Sequence, residues 1–141
     1  MPNHFHFLIR TRTEEEQRSL KIGPFSRNGP ISETITKTLQ PSRAFNNFFI
    51  AYARAFNNAT NRTGVLFETP FHRKRITTDA YFQRLVIYIH TNPQKHGFVD
   101  DFRTWKWSSF GALCTDQGTR LERTSVIDWF GGHQRFEELH Q

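Results

Sequence analysis

The first clear pattern in the chain is strict alternation: His4, Phe5, His6, Phe7, Leu8, Ile9 and Arg10 place His4, His6, Leu8 and Arg10 on one face and Phe5, Phe7 and Ile9 on the other, the period of a strand. From Thr11 to Pro41 the pattern dissolves into polar residues, the Glu14-Glu15-Glu16 run and breakers at Gly23, Pro24, Gly29 and Pro30, which predicts a loop carrying at most a short helix. Helical spacing then takes over. Phe45, Phe48, Phe49, Tyr52 and Phe56 recur every three to four residues, Ser42 is a candidate cap, and the Asn57-Asn58 and Thr60-Asn61 pairs predict the end. This Phe stripe is expected to pack on a sheet.

Val65-Leu66-Phe67 and Phe71 to Ile76 read as extended segments interrupted at Pro70, a short strand pair or one bent strand. A second helix is predicted from a Thr78 cap, with Asp79 in the first turn, a Phe82, Leu85, Val86 and Ile89 stripe, and a stop at Pro93. Tyr81, Arg84, Tyr88 and Asn92 line an adjacent face of it. Beyond Gly97 come Trp105-Lys106-Trp107, a polar loop from Thr115 to Arg123, and a short terminal helix holding Val126, Ile127, Trp129 and Phe130 before Gly131-Gly132.

Composition narrows the function classes. The 141 residues suit one domain, and 19 Lys and Arg against 13 Asp and Glu give a formal net charge of +6, which favours a polyanionic partner. The one cysteine, Cys114, excludes an internal disulfide framework and a Cys-rich zinc site, and suits a reducing cytosol. No signal-like N-terminus and no long apolar run occurs, so neither secretion nor a membrane is expected.

Two places carry candidate chemistry. Imidazoles two apart on a strand present two nitrogens to one point, as a divalent metal requires, although an isolated pair also fits an exposed polar face. Tyr88 and Asn92, four apart on one helix, share a side and could offer a phenol and an amide oxygen to the same ion. Their plainer readings are a residue at the core rim and a helix-ending residue before Pro93. His72, Arg73, Lys74, Arg75, Arg84, Lys95 and His96 bracket that helix in sequence, and either bind DNA phosphates or form a solvated basic face. His90 points to a different side of the helix from Tyr88, which reads as structural.

These motifs carry a family resemblance. Met1-Pro2-Asn3-His4-Phe5-His6-Phe7-Leu8-Ile9 resembles the histidine strand of single-tyrosine HUH transposases, and Tyr88-Ile89-His90-Thr91-Asn92-Pro93-Gln94-Lys95-His96-Gly97 resembles their tyrosine helix and its exit. Gly64-Val65-Leu66-Phe67, Phe71-His72-Arg73-Lys74, Trp105-Lys106-Trp107-Ser108-Ser109-Phe110 and Trp129-Phe130-Gly131-Gly132 extend the likeness over nearly the whole chain. It is closest to the REP-associated tyrosine transposases.

The resemblance implies an α+β, ferredoxin-like HUH nuclease fold, with the histidine motif on a strand and the tyrosine on a following helix. It implies Tyr88 as nucleophile, His4, His6 and Asn92 as ligands of Mg2+ or Mn2+, and single-stranded or hairpin DNA as partner. The expected product is a 5'-phosphotyrosine with a free 3'-hydroxyl. Relatives carry a strand, a helix and a strand before the histidine motif, whereas that Met is residue 1 here. The expectation is thus a single, N-terminally truncated domain over residues 1–141 with a C-terminal extension at about 101–141, whose unpaired strand edges invite a second copy to form a homodimer. The expected location is the bacterial cytoplasm, in association with the nucleoid, and the alternatives are a non-catalytic nucleic-acid hairpin-binding protein or an inactive transposase fragment.

Overall fold

The structure, a computed structural model, describes residues 4–19, 40–68 and 71–141. The expectations placed on Met1, Pro2 and Asn3, on the breakers between Gly23 and Pro30, and on Pro70 lie outside these residues. In chain order the elements are α1 (Glu14–Ser19), α2 (Pro41–Thr60), α3 (Asp79–Lys95), a single 3-10 turn (Phe102–Thr104), α4 (Phe110–Cys114), α5 (Arg123–Phe130) and α6 (His133–Glu138). They fall into two compact units, one of Met1–Leu8 with Lys74–Gln141, the other of Ile9–Arg73.

No strand occurs among the described residues, and this overturns the expected α+β, ferredoxin-like HUH fold with a strand-borne histidine motif. Residues 4–10, 65–67 and 71–76 are irregular instead. The physical reason is that alternation describes one segment, while a strand exists only through ladder hydrogen bonds to a neighbour. Among the described residues none of these segments is paired in a ladder. Phe5, Phe7 and Ile9 are accordingly 46%, 60% and 51% exposed.

In the first unit α3 organises the core. Thr78 is extended (φ −141°) and its hydroxyl accepts from the Tyr81 N–H at 3.2 Å, the capping role expected of it, with Asp79 complementing the dipole. The buried face runs Phe82, Val86, His90 and Pro93, so the apolar stripe is rotated from the expected one, and Leu85 and Ile89 are half-buried. The helix also continues past Pro93 to Lys95. A proline in the last turn forfeits only its own N–H bond, and the ending is taken over by Gly97: its φ of 70° lets Gly97 N–H reach Gln94 O (2.9 Å) and Phe98 N–H reach Pro93 O (2.9 Å).

Against α3 pack the remaining helices of this unit. Phe82, Val86, Leu113, Ile127, Phe130 and Phe136 form the buried cluster, with Leu8 and Ile76 at its margin. Phe136 is fully buried and its ring lies 4.9 Å from Phe130 and 5.9 Å, stacked, from Phe110. Trp129 meets Phe82 edge-on at 4.0 Å while its carbonyl accepts from Gln83 Nε2 at 2.7 Å. Residues beyond 101 therefore supply much of this core. Gly131 closes α5 in the left-handed region (φ 83°), as the Gly131-Gly132 pair suggests.

In the second unit α2 begins at Gln40 and Pro41, with proline in its favoured first-turn position. Ser42 is not its cap; the Ser42 hydroxyl accepts instead from Arg73 Nη1 at 2.6 Å. Asn61 ends the helix in the left-handed region (φ 52°), as the Thr60-Asn61 pair suggests. The expected packing of the Phe stripe on a sheet is also corrected. Phe45 and Phe49 meet Phe71 at 6.0 and 5.3 Å, Phe49 meets Phe67 at 5.0 Å, and no residue of α2 is buried.

Candidate functional site

The site is assembled on two elements of the first unit, the irregular N-terminal segment and the last two turns of α3. The His4 and His6 rings lie 5.3 Å apart, edge to face. The His6 ring reaches Tyr88 at 5.6 Å, and His4 reaches His96 at 5.9 Å. Two residues 82 positions apart in the chain, His6 and Tyr88, are thus neighbours. Tyr88 is 41% exposed, so its phenol is accessible to a macromolecular substrate.

Electrostatics keep the His6 ring neutral. Desolvation, then the nearby His4 and His96 imidazoles, lower its pKa from the ordinary 6.5, leaving a lone pair available for a cation. Asn92, the third expected ligand, lies on the same helix as Tyr88. It is fully buried, one helical turn past Tyr88, and neither atom of its carboxamide has a hydrogen-bond partner. Such an orphaned amide is costly unless something satisfies it. Among the described residues no group of three or more His, Cys, Asp or Glu could hold an ion.

The seven basic residues separate. His72 and Arg73 belong to the second unit, and Lys74, Arg75, Arg84, Lys95 and His96 to the first. All seven are exposed, and among the described residues none forms an ion pair with a carboxylate. Two of them are turned onto tyrosine rings, Lys74 Nζ 5.2 Å from the Tyr81 centre and Lys95 Nζ 5.6 Å from the Tyr88 centre. His96, grouped by sequence with the phosphate binders, belongs geometrically to the imidazole cluster.

A second polar constellation is not visible in the sequence. His90 is buried, with Nδ1 2.9 Å from His140 Nε2 and Nε2 2.9 Å from Ser109 Oγ, while His140 Nδ1 lies 2.7 Å from the Phe136 carbonyl. A carbonyl can only accept, so His140 Nδ1 donates to it and every other proton follows: His90 Nδ1–H donates to His140, and the Ser109 hydroxyl donates to His90 Nε2. The connectivity is that of a nucleophilic triad. Burial and then the neighbouring His140 push His90 down to about 3, however, and a base that weak cannot draw the serine proton near neutrality. The chain of hydrogen bonds is a brace between α3 and the C-terminal residues. The helix side on which His90 falls already marks it as structural, but Ser109 and His140 carry no local signal that would pair them with it.

No helix among the described residues is long and apolar enough to cross a membrane. No protein-family model matches the chain, and neither a curated protein nor a solved structure matches it.

Proposed function

We propose that the chain is a metal-dependent DNA strand-transfer enzyme of the single-tyrosine HUH transposase type, acting on single-stranded or hairpin DNA through Tyr88. The observation that carries the reading is the meeting of His6 and Tyr88 at 5.6 Å, which joins the two motifs on which the family resemblance rests. The exposed basic side chains, free of carboxylate partners among the described residues, and the net charge of +6 add support for a polyanionic substrate.

His4, His6 and Asn92 would hold the Mg2+ or Mn2+. Bound there, the ion supplies neutralisation of charge on the phosphate oxygens. The Tyr88 oxygen attacks phosphorus, forming the new O–P bond as the bond to the 3'-oxygen breaks. The phenolic proton leaves through the exposed side of the ring, and the 3'-oxygen takes a proton from water. The result is a 5'-phosphotyrosine and a free 3'-hydroxyl, and rejoining reverses each step. Arg75 and Arg84, both exposed, contact phosphates along the strand.

The test uses hairpin DNA labelled at its 3' end, Mn2+, and the wild-type and Tyr88→Phe chains. A labelled band that survives denaturation with wild type and vanishes with Tyr88→Phe is expected. If no Tyr88-dependent adduct forms, the enzyme reading falls, and salt-sensitive hairpin binding without an adduct would replace it with a binding protein.

A further inference from the structure

The Lys95 side chain is placed oddly for a cation at a helix terminus. Near the end of α3 an ammonium ordinarily serves the exposed carbonyls. Lys95 instead lies back along its helix, with Nζ 5.6 Å from the centre of the Tyr88 ring. Seven residues make two turns, so both side chains rise from one face, and the N-terminal tilt of helical side chains carries the lysine stem toward the tyrosine. Asp79, sixteen positions away at the other end, is the one carboxylate of α3, and Lys95 has no ion pair among the described residues. The ring that the ammonium faces is flanked on its other contact by the imidazole of His6.

We propose that Lys95 is a positioning residue, the charge partner of the Tyr88 phenol during strand transfer. This rests on Tyr88 being the nucleophile. A cation over a neutral phenol gains little at an exposed site. As the oxygen bonds to phosphorus its proton departs to solvent, and negative charge is shared with the ring. In rejoining, the O–P bond breaks and the electron pair returns to the same ring. The attraction to Lys95 is therefore larger in the transition state than in either ground state, the condition for accelerating a step rather than tightening binding. The same group serves both directions, so it changes both rates by one factor and leaves their ratio alone. A lysine that merely held a phosphate would change DNA affinity instead.

The experiment has two arms on the full chain. In the first, single-turnover adduct formation and rejoining with the 3'-labelled hairpin and Mn2+ are compared for wild type, Lys95→Ala and Lys95→Arg, with hairpin affinity measured for each on a Tyr88→Phe background. Lys95→Ala is expected to slow both directions equally, by about 30-fold, with affinity within about threefold and Lys95→Arg recovering most of the rate. In the second, without DNA, acetylation of Tyr88 by N-acetylimidazole is followed by mass spectrometry, with Tyr52 and Tyr81 as internal references. Lys95→Ala is expected to slow Tyr88 selectively. The proposal is overturned if Tyr88 acetylation keeps its ratio to Tyr52 in Lys95→Ala, or if the rate loss disappears at saturating DNA. Selective slowing of acetylation in a chain whose wild type makes no adduct would support the Lys95–Tyr88 pairing while removing strand transfer.

Discussion

At the scale of single residues, two buried polar groups make opposite demands on the fold. His90 is braced neutral by His140 and Ser109, and its folded pKa of about 3 lies far below the 6.5 of an unfolded imidazole. His140 is lowered too, chiefly by burial. With folded values depressed, the unfolded chain takes up protons first as pH falls. Stability is therefore full above about 6.5 and drains between there and about 3, by up to ~1.4 kcal/mol per pH unit from His90 alone. Urea unfolding at stepped pH should show that slope, and His90→Asn should flatten it. Asn92 works the other way. Its carboxamide is buried with no partner, so Asn92→Leu should raise stability by roughly 1–3 kcal/mol in thermal or urea unfolding. The same change should abolish most Mn2+ affinity, read by calorimetry. A loss of stability would mean the amide is satisfied after all, and unchanged metal binding would remove Asn92 from the ligand set.

At the scale of elements, α3 is where local sequence and structure agree best. The Thr78 cap, the Asp79 first turn and the Gly97 exit are each explained by their neighbours within five residues. Thr78→Ala should cost about 1 kcal/mol in urea unfolding, the usual loss when a side-chain cap is removed. Where α3 departs from its sequence pattern, the cause lies outside it. The buried face is turned toward His90 because Phe136, Phe110 and His140 come to meet it from 20 to 50 residues downstream. Pro93 does not stop the helix because only its own hydrogen bond is forfeited, in a turn already ending. The segment His4–Arg10 has the cleanest strand pattern in the chain and forms no strand among the described residues, since alternation cannot provide the partner that a ladder needs.

At the scale of the whole molecule, the proposed DNA substrate makes the exposed basic residues testable. Screening acts on exposed charges, and all seven candidates are exposed. Affinity for single-stranded DNA should fall linearly in logarithmic coordinates with salt, and Arg75→Gln with Arg84→Gln should lower the slope by about 0.7 for each phosphate that is no longer neutralised. Fluorescence anisotropy between about 50 and 200 mM salt would measure it. An unchanged slope would place both side chains on a solvated face.

The residues of the candidate site were legible in the sequence: a histidine pair, a tyrosine with an asparagine one turn on, and a surplus of positive charge are all local facts of type and spacing. So were the caps and breaks of α3, because hydrogen bonds within one turn determine them. Tertiary structure alone decided that His96 joins His4 and His6, that Lys95 turns onto Tyr88, and that His90, Ser109 and His140 share protons. It also decided that the alternating N-terminal segment forms no strand among the described residues. Each of these depends on which distant segment arrives beside a given face, and a periodicity read along one stretch of chain contains no information about its partner.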